Sequence, residues 1–193
     1  MKKILFILFI LILSFGQKIN AETINQIYEG NIDAKVTIIT YESLTCGHCA
    51  DFHKNVYPDL KKEFIDTGLV KIEFRHFPLD MAALNASKIA QCKNDGKSDL
   101  LHFLFSNQKK WVIGETIENA NENLKKLLKD ENILIDFEEC TNNKNIEDYV
   151  LNDRIEGVKK FKINATPTII INNKKFEKSL NYKNLKKTIE KLI

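Results

Sequence analysis

The 193-residue sequence predicts an α/β fold in which helices flank a central mixed sheet and a helical domain is inserted. Three observations support this class. A strand–helix–strand pattern occupies residues 36–74, an all-helical stretch covers residues 81–157, and a hairpin with a final helix ends the chain. No Pro-, Ser- or Gly-rich linker divides the sequence, so we expect one globular unit.

The first half of the sheet is predicted from residues 22–80. Residues 36–41 (VTIITY) are β-branched and aromatic, which is typical of a strand. A helical pattern begins at Cys49 and contains Pro58, which should kink or divide the helix. Residues 69–74 (LVKIEF) alternate as a second strand. Such a unit predicts two parallel strands joined by a right-handed crossover.

The insert at residues 81–157 contains no convincing strand, and its apolar residues recur at helical spacing. We expect helices over residues 81–93, 100–111, 118–130, 133–140 and 146–161.

The second half of the sheet is predicted from residues 158–193. Residues 168–176 (TIIINNKKF) indicate two short strands around Asn172-Asn173, because Asn tolerates positive φ and suits a hairpin turn. Residues 182–192 form an amphipathic helical pattern.

The first 21 residues have the pattern of a secretory signal peptide. Lys2 and Lys3 precede an apolar run at residues 4–15, and Ala21 offers a small residue at the cleavage point. The run is shorter than the roughly 20 residues of a membrane-spanning helix. We therefore favour cleavage after Ala21 and a periplasmic location over an uncleaved anchor.

The charge of the chain gives no sign of a nucleic-acid partner. The first 21 residues contain three of the 29 basic residues and none of the 26 acidic residues, so the remainder has a formal net charge of zero. The basic balance of the whole chain therefore arises from the predicted signal peptide, and nucleic-acid binding is not expected.

The motif Cys46-Gly47-His48-Cys49 lies where a strand ends and a helix begins. Residues three apart at a helix start lie about one turn from each other, which suits the Cα separation of about 5–6 Å in a disulfide. The helix N-terminus favours a thiolate at Cys46, and an imidazolium at His48 would add to this. We expect Cys46 to be the nucleophile and the deeper Cys49 to resolve the mixed disulfide.

Two other interpretations of the motif are open. A zinc site would need two more ligands, yet Cys92 and Cys140 are isolated and His53 offers only a third. A purely structural disulfide would close almost no loop and contribute little stability. The sequence favours a redox pair, and we expect no metal and no cofactor.

The order of elements resembles that of the DsbA-like thiol-disulfide oxidoreductases of thioredoxin fold. The resemblance covers residues 30–193 and rests on residues 45–49 (TCGHC), the long helical insert, and residues 165–168 (ATPT) before a strand. Further matching features are Asp51-Phe52-His53, Gln108-x-x-Trp111 and Gly157-Val158.

This resemblance implies roles for named residues. Cys46 and Cys49 would be the catalytic redox pair, assisted by His48. Pro167 would be a cis proline that faces the cysteines, and Thr166 would offer its backbone to an extended substrate. A plain strand-entry proline is the alternative for Pro167.

The resemblance also implies a second, non-catalytic disulfide between Cys92 and Cys140. In the chain-entropy model such a bond would stabilise the insert by on the order of 4 kcal/mol. Two buried free thiols are the alternative.

Two positions depart from the family pattern. Gly47 stands where DsbA-type enzymes often have Pro, which leaves the strength of the oxidant open. Thr40 stands where many relatives carry a buried acid six residues before Cys46. Glu42 lies on the same strand face. We expect a partly exposed glutamate at the end of the strand, and a proton relay for Cys49 is the alternative role of Glu42.

The function implied by the resemblance is the introduction of disulfides into newly exported proteins. Reduced exported proteins would be the substrates, and a membrane oxidase would re-oxidise the pair. The alternatives are an isomerase or reductase that is kept reduced, and a non-redox module that binds unfolded chains.

Overall fold

The computed structural model describes residues 23–193, and a five-stranded mixed sheet forms its centre. The strands are β1 (Tyr28–Glu29), β2 (Val36–Glu42), β3 (Val70–His76), β4 (Thr168–Ile171) and β5 (Lys174–Lys175). Their order is β1-β3-β2-β4-β5; β2 and β3 are parallel, and the other neighbours are antiparallel. This confirms the predicted mixed sheet. The predicted signal peptide lies outside the described residues.

The connection between β2 and β3 is a divided helix, as Pro58 predicts. Helix α1 spans Gly47–Asn55, α2 spans Tyr57–Leu60, and a π-helical segment follows at Lys61–Ile65. Pro58 lies in the first turn of α2, where its missing N–H leaves no hydrogen bond unmade. The helical backbone is therefore interrupted at Val56, between α1 and α2.

The insert is helical, as expected, with differences in where its helices begin and end. Its helices are α3 (Met81–Gln91), α4 (Asp99–Ser106), α5 (Gln108–Trp111), α6 (Ile117–Asp130), α7 (Phe137–Asn142) and α8 (Lys144–Phe161). The pattern at residues 100–111 forms two helices that meet at Asn107. Helix α7 begins later than predicted because the Asp136 carboxylate accepts from the Glu139 N–H and caps it.

Helix α8 is joined to β3 by a buried carboxylate. Asp153 accepts one hydrogen bond from Arg75 Nη1 at 2.9 Å and another from the backbone N–H of His76 at 3.0 Å. The insert is also crosslinked internally by a disulfide between Cys92 and Cys140. It joins the end of α3 to α7 with a Cα separation of 5.6 Å.

The C-terminal hairpin has the turn that its sequence favours. Asn172 and Asn173 both adopt positive φ, at 44° and 64°, between β4 and β5. Helix α9 (Tyr182–Ile189) follows and buries Leu185 and Ile189. Strand β1 was not predicted, because two residues are too short to show an alternating pattern.

Among residues 23–193, no helix is both long enough and apolar enough to cross a bilayer.

Gly157 in α8 lies against the ring of Tyr41, and we predict that Gly157→Ala destabilises the protein. A Cβ atom there would lie 2.8 Å from Tyr41 Cε1. The Tyr41 ring is 2% exposed and contacts the rings of Phe77 and Phe161, so it has little room to move. Overpacking costs about 1–3 kcal/mol, which exceeds the gain of roughly 0.5–1 kcal/mol from replacing a helical glycine.

Urea denaturation of the reduced protein measures this effect, and Gly47→Ala is the matched control. A Cβ at Gly47 has no heavy atom within 4 Å, so this control should unfold at the wild-type urea concentration or a higher one. Equal stability of the two variants would contradict the close contact at Tyr41.

Candidate functional site

The two cysteines of the motif lie where β2 leads into α1. Cys46 is the N-cap residue of α1, with extended backbone angles (φ −78°, ψ 119°), and Cys49 lies one turn further on. Both are free thiols. Cys46 is partly exposed, whereas Cys49 has 0% exposure. One sulfur can therefore meet a large reactant and the other cannot.

The surroundings of Cys46 lower the pKa of its thiol to about 5. The largest cause is a hydrogen bond from the Cys49 thiol, which outweighs the cost of partial burial. The backbone N–H groups of Cys49 and His48 lower this pKa further. Cys46 is therefore largely a thiolate at neutral pH.

Cys49 has the opposite environment. Burial raises the pKa of its thiol far above the ordinary value, and the neighbouring Cys46 and the negative charge of Glu42 raise it further. A backbone hydrogen bond from Ser43 opposes these effects only in part. Cys49 is therefore protonated whenever Cys46 is a thiolate.

The loop before β4 faces Cys46. The Thr166–Pro167 peptide bond is cis. Cys46 Sγ lies 3.4 Å from the backbone carbonyl oxygen of Thr166. A groove of about 500 Å³ runs past this loop, and its lining includes Thr166, Pro167, Leu180, Tyr182 and the exposed His48.

The loop that carries Cys46 is held by the insert. Gln108 of α5 donates from Nε2 to the carbonyls of Leu44 and Cys46 at 2.8 and 3.0 Å. On the other side, the Thr45 hydroxyl donates to Asp80 at 2.7 Å. Gln108 was noted in the sequence only as a family-like residue, because nothing in its local pattern indicates these two carbonyls.

Glu42 is buried, with 4% exposure, and its charge acts on the Cys49 thiol. The expectation of a partly exposed strand-end glutamate was therefore wrong, because β2 extends one residue further than predicted and Glu42 pairs with His76 of β3. Its Oε2 lies 2.9 Å from His53 Nε2. Its Oε1 is buried and has no hydrogen-bond partner.

Sequence reasoning missed the partners of Glu42. His53 falls four residues after Cys49, so helical spacing could have placed it on the same face of α1. His53 Nδ1 lies 2.9 Å from His102 Nδ1, and His102 Nε2 lies 2.7 Å from Glu29. No local signal connects these last two residues, which are 73 positions apart in the chain.

The structure thus brings Cys46, His48, Thr166 and Pro167 together at one surface, and it buries Cys49 one helical turn after Cys46. The buried Glu42 acts on Cys49 through its charge. The structure places Cys92 and Cys140 away from this surface, in the insert. Across residues 23–193, no group of three or more His, Cys, Asp or Glu side chains is arranged to hold a metal ion. An accessible thiolate beside a buried thiol is an arrangement that can exchange disulfides.

The difference between the two thiols predicts selective alkylation. In the reduced protein, the rate of Cys46 alkylation by iodoacetamide should follow a titration with a pKa of about 5, and Cys49 should remain unmodified. Peptide mapping by mass spectrometry separates the two sites.

The matched variant is Cys49→Ala, which removes the largest cause of the low pKa. Its Cys46 should titrate at higher pH than in the wild type. A wild-type midpoint near the ordinary thiol pKa of 9.0, or equal alkylation of both cysteines, would contradict this account of the site.

Comparisons with known proteins agree with this geometry. The family model described as Thioredoxin matches residues 22–191. The crystal structure of Wolbachia pipientis alpha-DsbA1 superposes with a TM-score of 0.76 at 32% identity, covering 87% of this chain and 90% of that one. The disulfide bond formation protein D of Bacillus subtilis is 29% identical over 172 residues, covering 84% of this chain and 74% of that protein.

Relatives from Rickettsia match over less of their length. A Rickettsia bellii protein is 36% identical over 91 residues, which are 46% of this chain and 35% of the relative. A Rickettsia prowazekii protein is 27% identical over 173 residues, which are 88% of this chain and 62% of the relative. Because the family model and the Wolbachia structure each match most of the chain, this protein belongs to the thioredoxin family, among its DsbA-like thiol-disulfide oxidoreductases.

Proposed function

We propose that this protein is an exported oxidase that introduces disulfide bonds into newly exported proteins through the Cys46–Cys49 pair. The observation that carries the proposal is the difference between the two thiols. Cys46 has a pKa of about 5, whereas burial raises that of Cys49. Stabilising one thiolate stabilises the reduced form, which makes the disulfide a better oxidant.

The reaction begins with the oxidised pair. A substrate thiolate attacks Cys46 Sγ, the Cys46–Cys49 bond breaks, and Cys49 leaves as a thiolate that takes up a proton. A second substrate thiolate then attacks the substrate sulfur of the mixed disulfide. Cys46 leaves as a stable thiolate, and the substrate keeps the new disulfide. Two electrons pass from the substrate to the pair.

The neighbouring residues have supporting roles in this proposal. The groove at Thr166 and Pro167 holds the extended substrate segment beside Cys46, with backbone groups of Thr166 as its partners. His48 lies on the rim of this groove, where an imidazolium adds positive charge near the thiolate. Glu42 exchanges the proton of Cys49, since its charge already acts on that thiol.

The proposal also assigns a role to each part of the chain. Residues 22–80 and 158–193 form the redox unit, and the insert at residues 81–157 supplies Gln108 to the loop that carries Cys46. Residues 1–21 direct export to the periplasm, where reduced exported proteins are the substrates. A membrane oxidase accepts the electrons and restores the disulfide. The name of the Bacillus relative, disulfide bond formation protein D, supports the oxidase direction.

A second candidate function is that of a disulfide isomerase or reductase, because Gly47 stands where DsbA-type enzymes often have Pro and leaves the strength of the oxidant open. The Cys46 pKa of about 5 lies between the values of about 7 and 3.5 for a reducing and a strongly oxidising member of this fold. A protein found mostly reduced in its compartment would act as an isomerase or reductase. The oxidase proposal expects a mostly oxidised pair.

Activity on a dithiol peptide tests the proposal. The oxidised protein should oxidise such a peptide faster than thioredoxin does, and Cys46→Ala should abolish the reaction because the attacked sulfur is gone. Cys49→Ala, mixed with a single-cysteine peptide supplied as its disulfide with glutathione, should accumulate a Cys46–peptide mixed disulfide, because the Cys46 thiolate displaces glutathione and no Cys49 thiol is left to resolve the adduct. Peptide oxidation is followed by chromatography, and the adduct by mass.

The matched control is the double variant Cys92→Ala with Cys140→Ala. It removes two cysteines that lie away from the site, so its rate per folded molecule should equal that of the wild type. Full activity in Cys46→Ala would overturn the proposal. Peptide binding that persists without any oxidation by the wild type would instead identify a non-redox binding module.

A further inference from the structure

A line of titratable side chains runs from the buried Glu42, whose charge acts on the Cys49 thiol, to the protein surface. Glu42 Oε2 lies 2.9 Å from His53 Nε2, and His53 Nδ1 lies 2.9 Å from His102 Nδ1. His102 Nε2 lies 2.7 Å from Glu29 Oε1. The line is continuous because each histidine uses both ring nitrogens.

Aromatic packing fixes the two rings in this alignment. The His53 ring stacks on Phe105 at a centroid distance of 4.1 Å, and the His102 ring stacks on Tyr57 at 4.4 Å. Phe74 contacts both imidazole rings. The rings are therefore held in one orientation, which a relay of protons between fixed atoms requires.

The two ends of the line differ in their access to water. Cys49 is completely buried and Glu42 nearly so. The His102 side chain is 24% exposed, and His102 and Glu29 line a surface groove together with Lys61. A proton can reach solvent at the His102 end but not at Cys49 itself.

The charges around the outer end hold Glu29 as an anion. Burial alone would raise its pKa, but hydrogen bonds from His102, Lys61, Ser98 and Tyr57 lower it well below its usual range. The anionic Glu29, 2.7 Å from His102 Nε2, therefore orients the His102 ring at the edge of the groove.

Other titratable groups face the line from elements packed against it. Asp66 pairs with Lys61, the charges of Asp66 and Asp99 act on Tyr57, and the charge of Glu42 also acts on the buried His76.

We propose that His53 and His102 conduct protons between Glu42 and solvent at Glu29, and so set the rate at which the buried Cys49 gains or loses its proton. This deepens the proposed function and rests on it, because only thiol-disulfide exchange requires Cys49 to change protonation. Imidazole suits the task since it takes up and releases protons near neutral pH.

The transfer balances as three short proton movements. Glu42, having taken the proton of Cys49, gives a proton to His53 Nε2. The proton on His53 Nδ1 moves to His102 Nδ1, and the partly exposed His102 releases its Nε2 proton to water in the groove beside Glu29. Glu42 ends as a carboxylate, both imidazoles end neutral, and one proton has left the protein. The reverse sequence protonates Cys49 when it leaves as a thiolate.

The test follows two steps separately: formation of a mixed disulfide at Cys46, which does not need Cys49, and resolution of that mixed disulfide, which does. Reduced protein is mixed with oxidised glutathione, samples are quenched with acid, and mass spectrometry resolves the reduced, glutathione-bound and internally oxidised forms. Attack by the Cys46 thiolate forms the adduct and needs no proton from Cys49. Resolution of the adduct requires Cys49 to be deprotonated.

His102→Gln keeps a side chain that can hydrogen-bond but cannot relay protons. General acid–base groups contribute about 10²–10⁴-fold to proton-transfer steps, so resolution should slow at least about tenfold at pH 7 while adduct formation keeps its rate. The difference in resolution rate between His102→Gln and the wild type should decrease as the pH rises, because hydroxide then removes the Cys49 proton directly. Added imidazole should restore part of the rate.

Ser98→Ala is the matched control, because it removes a hydrogen bond to Glu29 but leaves His53 and His102 in place. This variant should resolve the adduct at the wild-type rate. His53→Gln, a second interruption, should reproduce the effect of His102→Gln, and wild-type resolution should be slower in D₂O. Wild-type resolution in His102→Gln, equal slowing of both steps, or absence of the isotope effect would each overturn the relay. A wild type that forms no adduct would overturn the proposed function itself.

Discussion

The ionised sulfur of Cys46 at the first turn of α1 is the interaction on which the rest of the site depends. Its stability comes from donors that the fold has already positioned, namely the Cys49 thiol and the backbone N–H groups of His48 and Cys49 in α1. These hydrogen bonds stabilise the Cys46 thiolate of the reduced protein. They do not stabilise the Cys46–Cys49 disulfide in the same way. The same geometry that makes Cys46 nucleophilic therefore also weakens its bond to Cys49.

The fold supplies this environment by bringing three separate segments to one loop. The β2–α1 connection carries the thiol, the cis Thr166–Pro167 peptide faces it, and Gln108 of the insert binds the carbonyl groups of Leu44 and Cys46. Burial then separates the roles of the two cysteines. Exclusion of water keeps Cys49 protonated, so the proton must travel through the protein. The line of side chains from Glu42 meets that requirement.

The predictable parts of the protein are those with local causes. The β-branched run of β2, the division of the helix near Pro58 and the hairpin turn at Asn172-Asn173 each follow from a few adjacent residues, and the structure has all three. The position of the cysteine motif between a strand and a helix follows in the same way. Strand β1 escapes prediction because it has two residues and exists only through its pairing with β3.

The network beneath the site was not predictable, because it joins residues 73 positions apart whose own segments look like ordinary helix and loop. The most direct test of the central claim is the reduction potential of the Cys46–Cys49 pair, measured in glutathione buffers. A stabilised Cys46 thiolate predicts a potential more positive than about −200 mV, on the oxidising side of the glutaredoxins. A potential at or below about −270 mV, the value for thioredoxin, would contradict it.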